Sequence, residues 1–483
     1  MSSVVIVSTI VAYVALLLGV SYLSSRKADN KGFFIGNRRT RWHVATLAMI
    51  GAAMSGVTFI SVPGSVAADS MTYMQMVVGF TIGQMIVAFL LVPLFYRLGV
   101  VSLYEYLDRR FGIMAHKTGA WCFLIAKLIG ASLKIFVVCA VLQLLLFEGL
   151  DIPFWLTASL VMLCVWLYTR KGGVRALIPT DIIQSLCLVG SVVVSVVALA
   201  RAMGLDSMSE VIDAVAESPY SQIWQTSDSS SPRYLWKMVA GGVLCLVAMT
   251  GLDQDMMQRN MSCRTVRDAQ ANIVLTAICQ IFVILLLLTL GVLLYRYVDF
   301  ASLSVPKRGD DVYPFVAIYG GLPSVVGVMF ILGLISSTYS AAGSALTSLT
   351  TSFTLDIKSD SLGLDEDALA VLRRRVHAVM ALLMTTLVVV LNYISNESLI
   401  NLIFKIAGYT YGPILGLFVF GMATRRSLRH RFIPVVAILS PLLSGVLQWV
   451  LAEQFQYYIG FELLGYNALI TIVDLMAISR PAK

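Results

Sequence analysis

Runs of about 20 apolar residues recur along the whole of this 483-residue chain, and each is long enough to cross a bilayer as a helix. A backbone in hydrocarbon must satisfy its own polar groups, so only helices and closed barrels can span. The alternation of about ten residues that marks a barrel strand dominates nowhere. The expected fold class is therefore an all-α polytopic membrane protein with about 13 transmembrane helices. A mean hydropathy of +0.84 and a charged fraction of 13% agree with this.

The formal net charge of +8 does not describe a nucleic-acid-binding surface. The basic residues gather in short segments between apolar runs, where they report orientation. Arg26, Lys27, Lys31, Arg38, Arg39 and Arg41 follow the first run, and Arg109, Arg110 and Lys117 follow the third. Arg170, Lys171 and Arg175 follow the fifth, Arg259, Arg264 and Arg267 the seventh, and Arg425, Arg426, Arg429 and Arg431 the eleventh. Arg373, Arg374 and Arg375 precede the tenth. All of these lie on one side if the runs alternate, opposite the acidic 203–233 segment. The positive-inside rule then predicts a multi-pass protein of the cell (inner) membrane, N-terminus outside and C-terminus cytoplasmic. The first run, 3–23, lacks a basic lead and a small-residue cleavage site, so it reads as a retained span. The seven cysteines form no CxxC pair and the four histidines are scattered, which argues against an enzyme or a bound transition metal.

Polar groups inside spans are costly and tend to mark function. Ser337, Ser340, Ser344, Ser348 and Thr351 recur at spacings of three and four, on one helical face. Small hydroxyl residues also let helices pack closely, and packing alone would explain the stripe. It becomes a cation site if free carbonyls face it. The second run, "AMIGAAMSGVTFISVPG", supplies Gly51, Gly56, Pro63 and Gly64, which permit a break. The seventh is interrupted at "AMTGLDQDMMQR". Broken helices at corresponding positions of two halves mark inverted-repeat secondary transporters, whose freed carbonyls hold Na⁺. Asp181 lies inside the sixth run and reads either as a structural acid or as a cation ligand. Lys127 and Lys134 share one face of the fourth run. Lys134 lies roughly 20 Å or more from either end, too deep to snorkel, so it needs an acid or a wet cavity. Gln75 and Gln280 are either hydrogen-bond glue or solute contacts.

Six segments in order then resemble the sodium:solute symporter family: "KGFFIGNRR", "MSGVTFISVPG", "SLYEYLDRRFG", "GGVRALIPTDIIQ", "GLDQDMMQRNMSCRTVRDAQ" and "YTYGPILGLFVFGM". The resemblance implies one transporter domain over 1–483. It has an extra N-terminal helix at 3–23, inverted repeats at 43–202 and 234–421, and peripheral helices at 431–479. It implies a main Na⁺ site at the carbonyls of Gly51, Met54 and Ser337 and the hydroxyl of Ser340. The next hydroxyl of the family pattern is replaced here by Ala341. A second Na⁺ site would use Asp181, Ser340 and Ser344, with Gly343 where relatives carry another hydroxyl. Ser55 and Thr58 match polar positions of the sialic acid branch, and Gln75 and Lys134 lie near that branch's glutamine and arginine; Gln280, on its own chemistry, is a further candidate solute contact. The aromatic inner gate of the sugar branch is missing near Met249. The implied activity is Na⁺-coupled symport of a small organic solute, an acidic sugar such as sialic acid or another organic anion, with the single chain as the transport unit in the lipid bilayer. A neutral sugar or polyol, proton coupling, and a non-transporting sensor are the alternatives.

Overall fold

The computed structural model describes residues 3–26, 29–147, 151–358, 363–394 and 399–481. By length and composition, nine helices among them are apolar enough to cross a membrane: α1 (Ser3–Ser25), α4 (Tyr73–Leu98), α5 (Ile113–Leu142), α7 (Val174–Ala202), α10 (Val266–Phe300), α11 (Ser324–Ile357), α12 (Glu366–Tyr393), α13 (Phe404–Ala423) and α14 (His430–Phe455). Two further segments are bent pairs, α2 (Trp42–Ala53) with α3 (Gly56–Gly64) at 59°, and α8 (Leu235–Gly251) with α9 (Gln254–Asn260) at 69°. The apolar helices α6 (Phe154–Thr169) and α15 (Leu463–Ile478) are shorter. The described residues thus hold nine such helices, or eleven spans with each bent pair counted as one, and the expected 13 is reached only if the shorter α6 and α15 also cross.

Both breaks fall where the sequence placed them. α2 ends as Met54 and Ser55 turn extended (ψ 105° and 166°), and Ser55 caps α3 through an Oγ contact from the Thr58 N–H at 3.4 Å. The backbone ladder of α2 stops with the Met54 N–H on Ile50 O, so the last carbonyls of the helix are left over. At the second break Asp253 caps α9, accepting the Asp255 N–H at 2.8 Å. Unwound backbone of this kind survives in a membrane only when protein surrounds it.

Helix α11 sits at the centre: 78% of its apolar window is buried, against 22% for α1 and for α14. Small residues make that possible. A Cβ on Gly333 would lie 2.2 Å from Ser191 Oγ of α7, and one on Gly343 would lie 2.0 Å from the Tyr168 hydroxyl of α6. Glycines likewise join α4 to α8, where a Cβ on Gly79 would meet Val239 O at 2.3 Å and one on Gly242 would meet Met76 O at 2.4 Å. These contacts pack α11 against α6 and α7, and the second bent segment against α4.

Candidate functional site

A cavity of about 150 Å³ lies where the two breaks meet. Met54, Ser55 and Thr58 line it from the first break, and Thr250, Asp253 and Asp255 from the second. Lys127 and Lys134 of α5, Gln280 of α10, Ala341 and Ala345 of α11 and Tyr411 of α13 are among the other polar and small residues of the lining.

The hydroxyl stripe of α11 now divides in two. Ser337, Ser348 and Thr351 return their hydroxyls to their own helix, on the carbonyls of Leu334, Ala345 and Thr347 at 2.9 to 3.0 Å. That is packing, with each buried donor satisfied locally. Ser340 and Ser344 reach acids on other helices. Ser340 Oγ donates to Asp181 Oδ1 at 2.7 Å, and Ser344 Oγ is shared between Asp255 Oδ2 and Ala341 O of its own helix, each at 3.1 Å.

Gly51 is pressed against α7. Its N–H donates to Ser185 Oγ at 2.6 Å, and a Cβ there would stand 3.3 Å from Asp181 O. Gly56 is pressed against α11, where a Cβ would stand 2.6 Å from Thr338 Oγ1 and 3.5 Å from Ser337 Oγ. The first break, Asp181 and the Ser337–Ser340 turn are therefore neighbours. Leftover carbonyls and a hydroxyl are hard oxygen donors of low charge, the kind Na⁺ takes.

The second break carries the charge. Lys127 Nζ lies 3.1 Å from Asp253 Oδ2 and 2.7 Å from Asp255 Oδ2, and the Tyr411 hydroxyl donates to Asp253 Oδ2 at 2.6 Å. Arg259 Nη2 lies 3.0 Å from Asp181 Oδ2. Its Nε is 3.8 Å from Asp255 Oδ1. Lys134 differs from all of these: it lines the cavity and has no ion pair among the described residues. Of the two lysines on this face, Lys127 is the one with acids and Lys134 the one left to the cavity.

Several expectations are adjusted by these positions. Gln75 is fully buried away from the cavity: its amide donates to Arg233 O at 3.0 Å and accepts the Gln225 N–H at 3.0 Å, so it anchors the segment before α8. Gln280 does line the cavity and accepts from Gln84 Nε2 at 2.6 Å. Arg259 is not a loop charge. It is 4% exposed, because the 69° bend carries α9 into the bundle. Of the two readings of Asp181, the Arg259 contact fits that of a structural acid. Asp253, Asp255, Lys127 and Tyr411 were not foreseen as one cluster; the signal was two acids two positions apart, with Arg259 one turn beyond Asp255.

Residues 33–430 match the sodium:solute symporter family, and the chain belongs to it. It is 24% identical to the sodium/sialic acid symporter SiaT of Proteus mirabilis, over 96% of this chain and 92% of that protein. Against the human sodium/iodide cotransporter it is 25% identical over 85% of this chain, and against the rabbit (Oryctolagus cuniculus) sodium-dependent multivitamin transporter 26% over 80%. The chain spans only 63% and 61% of the lengths of these two. A substrate-bound, outward-open structure of a Na⁺-coupled sialic acid symporter superposes with a TM-score of 0.82 at 20% identity, covering 99% of each chain. A nucleobase-cation-symport-1 family transporter superposes at 0.54 and 12% identity, covering 92% of this chain and 93% of that one. The fold is thus the inverted-repeat transporter fold.

Proposed function

We propose that this chain is a Na⁺-coupled symporter that imports a small organic anion, an acidic sugar being the favoured class, by alternating access. The observation that carries the solute class is Lys134. An ammonium deep in a bundle, lining a cavity and without an acid partner, supplies the counter-charge for an anionic solute. Ser55, Thr58 and Gln280 line the same cavity and offer hydrogen bonds to hydroxyls. The resemblance to sialic acid symporters over most of their length supports the same class.

Na⁺ binds, on this reading, at the carbonyls of Gly51, Met54 and Ser337 and the hydroxyl of Ser340. The ending of the α2 ladder at Met54 and the closeness of α3 to Ser337 support the assignment. The second position is filled by the protein. Asp181 is engaged by Ser340 on one oxygen and by Arg259 on the other. A side chain at position 343 would run into the Tyr168 hydroxyl. One Na⁺ per solute follows. With one Na⁺ and one monovalent anion the cycle moves no net charge, so the Na⁺ concentration gradient drives it: a tenfold gradient, about 1.4 kcal/mol, supports about tenfold accumulation.

The remaining arrangements follow from the same sequence reading: inverted repeats at 43–202 and 234–421, basic loops in the cytoplasm and N-terminus outside, in the cell membrane. The test is uptake into proteoliposomes with Na⁺ or choline outside, screening sialic acid, uronates, polyols and monosaccharides. Na⁺-dependent uptake of an acidic solute is expected. Na⁺-dependent uptake of neutral solutes only would overturn the role of Lys134, and uptake driven by a pH gradient without Na⁺ would overturn the Na⁺ site.

A further inference from the structure

A second cavity, of about 410 Å³, shares no lining residue with the first. It is lined by Ser25 at the end of α1, by Trp166, Arg170 and Lys171 at the end of α6, and by Arg373 and Arg374 near the start of α12. Among the described residues, all four ionised groups in the lining are cations. Arg373 is only 4% exposed, and its Nε and Nη1 are buried without a hydrogen-bond partner. The Trp166 indole Nε1 is buried and unpartnered as well. Two acids act on Arg373 through space, Asp29 and Glu366, but neither lines the cavity. Each is also spent elsewhere, Asp29 on the Gly32 N–H at 2.7 Å and Glu366 on the Asn30 amide.

Rings hold the cations in place. Arg373 lies 4.3 Å from the Phe33 ring centroid, Arg170 lies 5.1 Å from that of Trp166, and Lys171 lies 5.7 Å from that of Tyr22. A buried guanidinium with two nitrogens lacking acceptors among the described residues, and a buried indole N–H lacking one, in a cationic pocket, form a site for an anion with several oxygens. A phosphate fits that description.

The surroundings say which phosphate. The helices that form the site are peripheral, with 22% of the apolar window of α1 and 33% of that of α12 buried in protein. Exposed apolar side chains run from it along the bundle: Leu163 two turns before Arg170, and Leu382 two turns after Arg374. A headgroup in the cavity would lay its acyl chains on those side chains. We propose that this cavity binds the phosphate of an anionic phospholipid at the bilayer surface, on the face that carries the basic loops.

The test is native mass spectrometry and thermal unfolding of the purified full chain, supplied with phosphatidylglycerol or with phosphatidylcholine. Preferential retention of phosphatidylglycerol is expected, together with a higher unfolding temperature. Arg374→Gln and Arg373→Gln should each weaken retention about five-fold. Arg429→Gln, at an exposed arginine outside the cavity, should leave it unchanged. Arg374 is exposed, so its variant remains informative if loss of Arg373 impairs folding. Equal retention of the two lipids, or unchanged retention in the Arg374→Gln protein, would overturn the proposal. Protection by inorganic phosphate equal to that by phosphatidylglycerol would overturn the lipid as its source.

Discussion

Arg259 Nη2 stands 3.0 Å from Asp181 Oδ2, with both side chains almost wholly buried, while the other Asp181 oxygen accepts from Ser340. A carboxylate that the family resemblance assigned to a second Na⁺ thus has an internal cation. If Arg259 holds that place, the Na⁺ dependence of uptake is hyperbolic, with a Hill coefficient close to one. A coefficient near two, measured with solute saturating, would refute the one-to-one reading.

The same pair makes a stability prediction. Removing one member of a buried ion pair strands the other, at a cost of about 3–5 kcal/mol. Arg259→Met should therefore lower the unfolding temperature sharply. The double variant Asp181→Asn with Arg259→Met should recover most of the loss, because no charge remains unpaired. Additive losses in a double-mutant cycle would show that the two side chains do not interact.

Ser340 and Ser348 share one face of α11 but not one environment. Ser340 Oγ reaches out to Asp181, whereas Ser348 Oγ folds back on Ala345 O. Ser340→Ala should raise the Na⁺ concentration for half-maximal uptake about tenfold, as expected for the loss of about 1.4 kcal/mol of binding. Ser348→Ala should leave it near the wild-type value. Uptake titrated with Na⁺ at constant ionic strength separates the two, and an equal response of both variants would count against the site.

Those two serines also show how far the sequence could be read. Periodicity put both on one face, and glycine with proline marked the first break, because each is a local property of the chain. Which hydroxyl faces a carboxylate depends on the α7 and α9 residues opposite, and no spacing along α11 reports that. The lysines make the same point. Lys127 and Lys134 lie two turns apart and look alike in sequence, and only the inward fold of α9 gives one of them two aspartates. Arg259 was misleading for a related reason: it belongs to a run of basic residues after an apolar segment, yet it sits on the broken half of that segment. Gln75 had the chemistry of a solute contact, and its backbone partners, Gln225 and Arg233, lie about 150 residues away in the chain.

The contrast between the lysines gives the last prediction. Lys127 is held by Asp253 and Asp255, and Asp253 is held in turn by Tyr411, so the ammonium ties α5 to the second break and, through Tyr411, to α13. Its removal leaves Asp253 without a cation and Asp255 with only the more distant Arg259, and Lys127→Gln should show as lost stability and low yield. Lys134 has no such partner among the described residues. Lys134→Gln should fold with a nearly unchanged unfolding temperature and keep the Na⁺ dependence of transport. Its half-saturation for an acidic solute should rise about 30-fold, the loss expected for a hydrogen bond to a charged group worth about 2 kcal/mol. Lys134→Arg should recover most of that affinity, since the charge is retained. The discriminating measurement is competition between an acidic sugar and its neutral analogue. Wild type should prefer the acid and Lys134→Gln should lose the preference, because only the charged group meets the ammonium. An unchanged preference in the variant would mean that the solute charge is read elsewhere in the cavity.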